Sequence, residues 1–171
     1  MKKLLVVGVI VLFIGMTISS STGIYLENQS IKPLSSGNIL YVGGSGSGNY
    51  SFIQDAINDA SDGDTVYVYD DSSPYLENVV VNKSITLIGE NRETTVINGS
   101  GNPSLSTVTI SFDNVILSGF SIHKYGIYNY SFDNNGINIE SDYNVVSNNI
   151  LIGNASYMID ISNSNYNNIS G

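Results

Sequence analysis

The sequence predicts an all-β chain folded as a solenoid, in which short strands wind into stacked coils behind one capping helix. Three observations carry this expectation. Beyond Gly63 the apolar side chains come mostly in short β-rich runs, the runs recur in register, and the composition favours tight corners over charged surface. Charged residues make up only 12% of the 171 residues, about half the usual ~25%. Like residues in successive coils lie above one another, so charges would repel along the axis and low charge follows. The 42% of hydrophobic side chains suffice for a single core.

Composition also removes whole classes of function. Six Lys+Arg against fifteen Asp+Glu give a net charge of −9, which leaves no basic face to neutralise phosphates and makes nucleic acid an unsuitable partner. The chain has no Cys and one His, so disulfides, thiolate metal sites, thiol nucleophiles and multi-His clusters are all out of reach.

Taken in order, the chain begins with an address. Lys2 and Lys3 precede the apolar run Leu4 to Ile18, which gives way to Ser19, Ser20 and Ser21. Residues 1–22 therefore read as a signal peptide, with an uncleaved N-terminal anchor as the alternative. Either way the rest is exported, to the extracellular space or the cell surface. Residues 23–37 show no periodicity and read as a linker, so the β domain is expected over 38–171.

Ile39 to Val42 reads as a first strand and GGSGSGN as a flexible turn. Ile53, Ala56, Ile57 and Ala60 then fall at i, i+3, i+4 and i+7, the apolar stripe of a helix. Ser51 three residues before Gln54 has the spacing of a capping box, and Gly63 is placed to end the helix in a left-handed conformation. The expected helix runs from about Ser51 to Ser61. After it, strands are expected at Val66–Val68, Val79–Val81, Ile85–Leu87, Thr95–Ile97, Val108–Ile110, Ile137–Ile139 and Ile159–Ile161.

The repeat is the strongest signal. A shift of 29 residues carries Val108, Ile110, Asp113, Leu117, Ser118 and Ile122 onto Ile137, Ile139, Asp142, Val146, Ser147 and Leu151. A shift of 29 to 30 pairs Val79 with Val108, Val81 with Ile110, Leu87 with Leu117 and Gly89 with Gly119. The next shift shortens to 22 or 23, taking Ile137 and Ile139 to Ile159 and Ile161, and Val146 to Ile169. Such a period is one coil of a solenoid whose inward Val, Ile and Leu are buried only by stacking. Asn and Gly suit the corners because they tolerate left-handed backbone and bond locally.

The stretch from 39 to 101 now takes on a specific look. Its helix SFIQDAINDASDGDTV, its YLENVVV strand (Tyr75 to Val81) and its turn SITLIGENRETTVI resemble the opening coils of the pectin-lyase-like superfamily. The later stretches GINIESDYNVVSNNILIGN and MIDISNSNYNNISG resemble the short repeats of NosD-type periplasmic proteins and of archaeal and bacterial cell-surface proteins. This resemblance implies a right-handed parallel β-helix with coils of about 22–30 residues and a helix over the first coil. It does not imply one function, because the scaffold hosts lyases, hydrolases, esterases, epimerases and non-enzymatic surface proteins.

Few residues offer chemistry. The only Arg is Arg92, and Lys124 is the one Lys or Arg after it, whereas a polysaccharide lyase needs such a base beside acidic Ca²⁺ ligands. The Asp, Gln and Arg constellation implied by a resemblance to pectinesterases is not found here. The shift of 29 stacks Asp113 over Asp142, and two carboxylates about one strand spacing apart call for a cation such as Ca²⁺ or a shared proton unless they splay into solvent. No other cofactor is expected. The NosD-type resemblance implies a link to copper delivery, but one His, no Cys and Met158 as the sole Met beyond the signal segment do not furnish a copper site.

Residues 123–136 form an insertion carrying Tyr125, Tyr128, Tyr130 and Phe132. Aromatic faces there can stack on sugar rings, or fold over the coil they leave. His123 reads as a loop histidine, GGSGSG as a turn because it lacks the phosphate-loop pattern, and Tyr67, Tyr69 and Tyr75 as strand-edge residues. Glycosylation sequons occur at Asn28, Asn49, Asn82, Asn98, Asn129, Asn154 and Asn168, a number that an Asn- and Ser-rich chain reaches partly by chance.

The chain stops at a point matching mid-repeat, since Ile169 aligns with Val146. The β-helix is therefore expected to be incomplete at this end, as a piece of a longer protein or as a coil closed by a partner or a second copy. The functional expectation is a non-catalytic secreted or cell-surface module that contacts a polysaccharide or another envelope component, touching a membrane only through an uncleaved N-terminal segment. The alternatives are the N-terminal part of a carbohydrate-active enzyme of pectin lyase or esterase type, and a purely structural surface protein.

Overall fold

In the computed structural model the described residues are 37–125 and 134–171, and they lie within one unit, Leu34–Gly171. The signal peptide and most of the linker expected from the sequence lie outside them. In chain order the elements are β1 (Ile39–Val42), α1 (Ile53–Asp59), β2 (Thr65–Val68), β3 (Val79–Val81), β4 (Thr86–Gly89), β5 (Val96–Asn98) and β6 (Val108–Ile110). They continue as β7 (Ile116–Ser118), β8 (Ser121–Lys124), β9 (Ile137–Ile139), β10 (Val145–Ser147), β11 (Ile150–Gly153), β12 (Ile159–Ile161) and β13 (Asn168–Ser170).

The strands assemble into three parallel sheets that run along a common axis. The first sheet is ordered β1-β2-β4-β7-β10-β13, the second β11-β8-β5 and the third β12-β9-β6-β3. The fold is thus an all-β parallel solenoid of about five coils with one small helix. Repeat partners read from the sequence are strand partners in space: Val108 pairs with Ile137, Leu117 with Val146, Ile122 with Leu151 and Ile137 with Ile159. Short strands of three or four residues suffice because β2, β4, β6, β7, β8, β9 and β10 are each hydrogen-bonded on both sides within their sheets.

The core is a stack of branched side chains. Val66, Leu87, Leu117 and Val146 follow one another inside the first sheet, Ile97 and Ile122 inside the second, and Val79, Val108 and Ile137 inside the third, all buried. Each contributes about 1.5–3 kcal/mol on leaving water.

The helix is shorter than the sequence suggested and is held differently. It spans Ile53–Asp59, with the expected apolar face Ile53, Ala56 and Ile57 buried and Ala60 beside it. The capping box does not form: the N-cap is Phe52, with no side-chain cap bond, and Glu77 of the coil beneath accepts from the N–H groups of Ile53 at 2.9 Å and Gln54 at 3.0 Å. A carboxylate reaching two free N–H groups outcompetes a neutral hydroxyl at that position. Gln54 is used elsewhere, its amide donating to Val80 O at 3.2 Å and accepting from Val80 N–H at 2.8 Å. It thereby acts as one more strand residue beyond β3, the outermost strand of its sheet. Gly63 does take a left-handed conformation, φ +91°, but it lies beyond Ala60, the extended C-cap, and feeds β2 instead. The helix end is held by Lys83, whose ammonium donates to Asn58 O at 2.6 Å and Ala60 O at 2.5 Å.

Asparagine does its work at the corners. Asn114 and Asn148 occupy left-handed backbone, with φ +60° and +54°. Asn144, fully buried, accepts from Val115 N–H with its side-chain oxygen, while Asn167 of the next coil accepts from Asn144 N–H, both at 2.8 Å. Asn149 does the same for Phe120 N–H at 3.0 Å. These side chains satisfy corner N–H groups that no strand partner reaches.

Candidate functional site

Asp113 and Asp142 come to the same corner in successive coils, as their spacing implied. The N–H of Asp142 donates to Asp113 Oδ1 at 2.8 Å, and the N–H of Asn165, one coil further, donates to Asp142 Oδ1 at 2.7 Å. Each carboxylate thus fastens the coil that follows. Among the described residues no group of three or more His, Asp or Glu side chains is gathered as a metal cage would require.

Of the expected aromatic insertion, Tyr125 is described and exposed, while Tyr128, Tyr130 and Phe132 lie outside the described residues. Tyr125 meets His123 edge to face, centroids 6.2 Å apart. His123 stands on β8 rather than in a loop, its Nε2 2.9 Å from Ser121 Oγ, and burial holds its imidazole below the usual histidine range. Lys124 turns into the interior, where its ammonium donates to the carbonyls of Asn102, Pro103 and Leu105. Burial lowers its pKa as well. It secures the stretch between β5 and β6 and is not presented to solvent.

Of the sequon residues, Asn82, Asn154 and Asn168 are exposed, whereas Asn28 and Asn129 lie outside the described residues. The side-chain nitrogen of Asn49 donates to Gly43 O at 2.6 Å, and Asn98 accepts from Ser100 N–H at 3.0 Å. Among the described residues no helix is long and apolar enough to cross a membrane.

Tyr67 and Tyr69, expected as strand-edge residues without a site, join Tyr41 in a constellation on the outer face of the first sheet. Tyr41 of β1 lies beside Tyr67 of β2 in register, and Tyr69 follows two residues later on the same face. The ring of Tyr41 stacks on that of Tyr69 at 5.9 Å and 21°, and Tyr67 meets both edge to face, at 6.1 Å and 5.2 Å. Next to it opens a cleft of about 190 Å³ lined by Gly43, Gly44, Gly46, Asn49, Tyr50, Ser51 and Ser72. Gly44 is the shared wall: a Cβ there would stand 2.7 Å from the Tyr69 ring. The glycine-rich segment is a turn, as expected, and it also forms the rim of a polar cleft. Three carboxylates border this region. Asp71 accepts from Gly44 N–H at 2.9 Å and Ser72 Oγ at 3.0 Å, and Asp70 N–H donates to Glu90 at 3.0 Å. Burial first, then the Glu90 charge, raises the Tyr67 hydroxyl above its usual pKa.

A signal for this cluster was present in the sequence. Aligning ILYV with TVYV places Tyr41 on Tyr67 with apolar residues on either side, which is the alternation of a strand with one face outward. A second aromatic pair, Tyr143 and Tyr166, stacks at 5.0 Å and 8° on the corner next to Asp142, and both rings are exposed. Compared with protein-family models, with curated proteins and with solved structures, the chain gives no significant match.

Proposed function

We propose that the chain is a non-catalytic, exported module of the cell surface that binds carbohydrate or another envelope component through tyrosine rings on a rigid solenoid. The observation that carries the reading is the contact cluster of Tyr41, Tyr67 and Tyr69 on the outward face of a parallel sheet. Aromatic faces fixed by strand register suit sugar rings, because both surfaces are preorganised and little freedom is lost on contact. The resemblance of residues 39–101 to the opening of right-handed pectin-lyase-like β-helices, and of the later repeats to cell-surface β-helices, agrees with this role. A Ca²⁺ contribution by Asp113 and Asp142 belongs to the same proposal.

The test is binding of the chain to a panel of acidic and neutral polysaccharides with and without Ca²⁺, with the same mixtures assayed for cleavage. Binding without cleavage is expected. Release of unsaturated or shortened sugars would overturn the non-catalytic reading in favour of a carbohydrate-active enzyme. Silence from folded protein would leave a structural role. Loss of a Ca²⁺-dependent component in Asp113→Asn or Asp142→Asn would place the ion at that corner.

A further inference from the structure

We propose that the Tyr41–Tyr67–Tyr69 face and the glycine-rich cleft beside it form one binding site for an uncharged glycan, a sugar ring resting on the tyrosines and the neighbouring sugar's hydroxyls entering the cleft. This rests on the reading of the chain as a glycan-binding module and gives that reading a location and a ligand class.

Continuity of the two parts comes from Gly44. Its backbone lies against the Tyr69 ring and lines the cleft, and at φ +69° with the ring so near it has no room for a side chain. The cleft itself is polar. Asn49, Ser51 and Ser72 bring amide and hydroxyl groups, and the wall residue Tyr50 is held by its own bond to Asp59 at 3.0 Å. Asp71 accepts from Gly44 and Ser72 through one oxygen, Oδ1, which turns its carboxylate toward this rim, where sugar hydroxyls are natural donors.

Charge selects among glycans. Asp70, Asp71 and Glu90 border the site, and the bases of the described residues are engaged elsewhere: Lys83 at the end of α1, Lys124 on the 102–105 carbonyls and Arg92 on Asn148. An acidic polysaccharide would bring carboxylates against carboxylates with no cation between them. An uncharged one meets donors, acceptors and aromatic faces.

The experiment is titration of the full chain with soluble β-glucan, mannan and chitin oligosaccharides on one arm and polygalacturonate on the other, followed by circular dichroism of each variant. At least one neutral glycan is expected to bind more tightly than polygalacturonate. Tyr41→Ala and Tyr67→Ala are each expected to weaken that binding about tenfold or more, and Tyr67→Phe to retain it. Ser72→Val, in the cleft lining and outside the three-ring cluster, is expected to weaken it as well. Neutral binding that survives both alanine substitutions overturns this site while sparing the general reading. Polygalacturonate bound more tightly, and lost in the same variants, overturns the ligand class. Silence on both arms from folded protein overturns the site and the general reading together.

Discussion

Tyr75 shows how a single side chain ties coils together. It is buried, and its hydroxyl donates to Tyr69 O at 2.7 Å, with Val42 O of the first coil at 3.4 Å. Burial, the dominant cause, pushes its pKa up to about 12. Because the folded value lies above the unfolded value near 10, its contribution is complete below pH 10 and is lost as the pH rises toward 12. Thermal melts between pH 9 and 11 should therefore show falling stability, and Tyr75→Phe should flatten that fall. His123 works in the opposite sense. Its folded pKa lies below the ordinary 6.5, so stability drops as the pH descends through 6.5 toward the folded value. His123→Gln should reduce the loss of melting temperature between pH 7 and 5. Neither shift was legible in the sequence, because both come from burial by residues of other coils.

At the scale of elements, the helix is the informative case. Its apolar face was legible, since i, i+3, i+4, i+7 spacing is local, and so was its place before the first repeat. Its caps were not, because Glu77 and Lys83 arrive from 23 to 25 residues away once the coil closes. The two charges sit at the ends where the helix dipole favours them, anion at the start and cation at the finish. Glu77→Ala is expected to cost about 1–2 kcal/mol in urea unfolding, because it leaves Ile53 and Gln54 N–H groups without an acceptor. Gln54→Ala should cost less, since water can reach the edge of Val80. Equal effects of the two substitutions would contradict this account. That Tyr67 and Tyr69 form a cluster with Tyr41 was not legible for the complementary reason: Tyr41 comes from β1, Tyr67 from β2 and Tyr69 from just after it, and pairing in register brings their rings together.

For the whole molecule, stability is a sum of coil interfaces. Leu117 sits between Leu87 and Val146 in the middle of the stack, so Leu117→Ala should cost about 2–5 kcal/mol, the range for a large side chain removed from a core. Burial thins toward the last coils: Ile139 is buried, Ile161 is exposed and all of β13 is exposed. Amide exchange should follow that gradient, slow in β4 and β6 and faster in β12 and β13. Uniform protection along the axis would show that the coils open as one cooperative unit. The coil order itself was legible from the repeat, because the same Val, Ile and Leu that bury the core also mark its period.

Coil length varies, and the widest variation falls at one place. The links from the second sheet to the third run over 99–107, 125–136 and 154–158, while the sheet pairings on either side keep their register. This corner is a tolerant insertion point, where length changes from coil to coil while the strands on either side keep their partners. A foreign peptide grafted at 154–158 would be displayed at a fixed height along the rod. A series of such grafts, one per coil, would make the molecule a ruler whose divisions are the strand spacing.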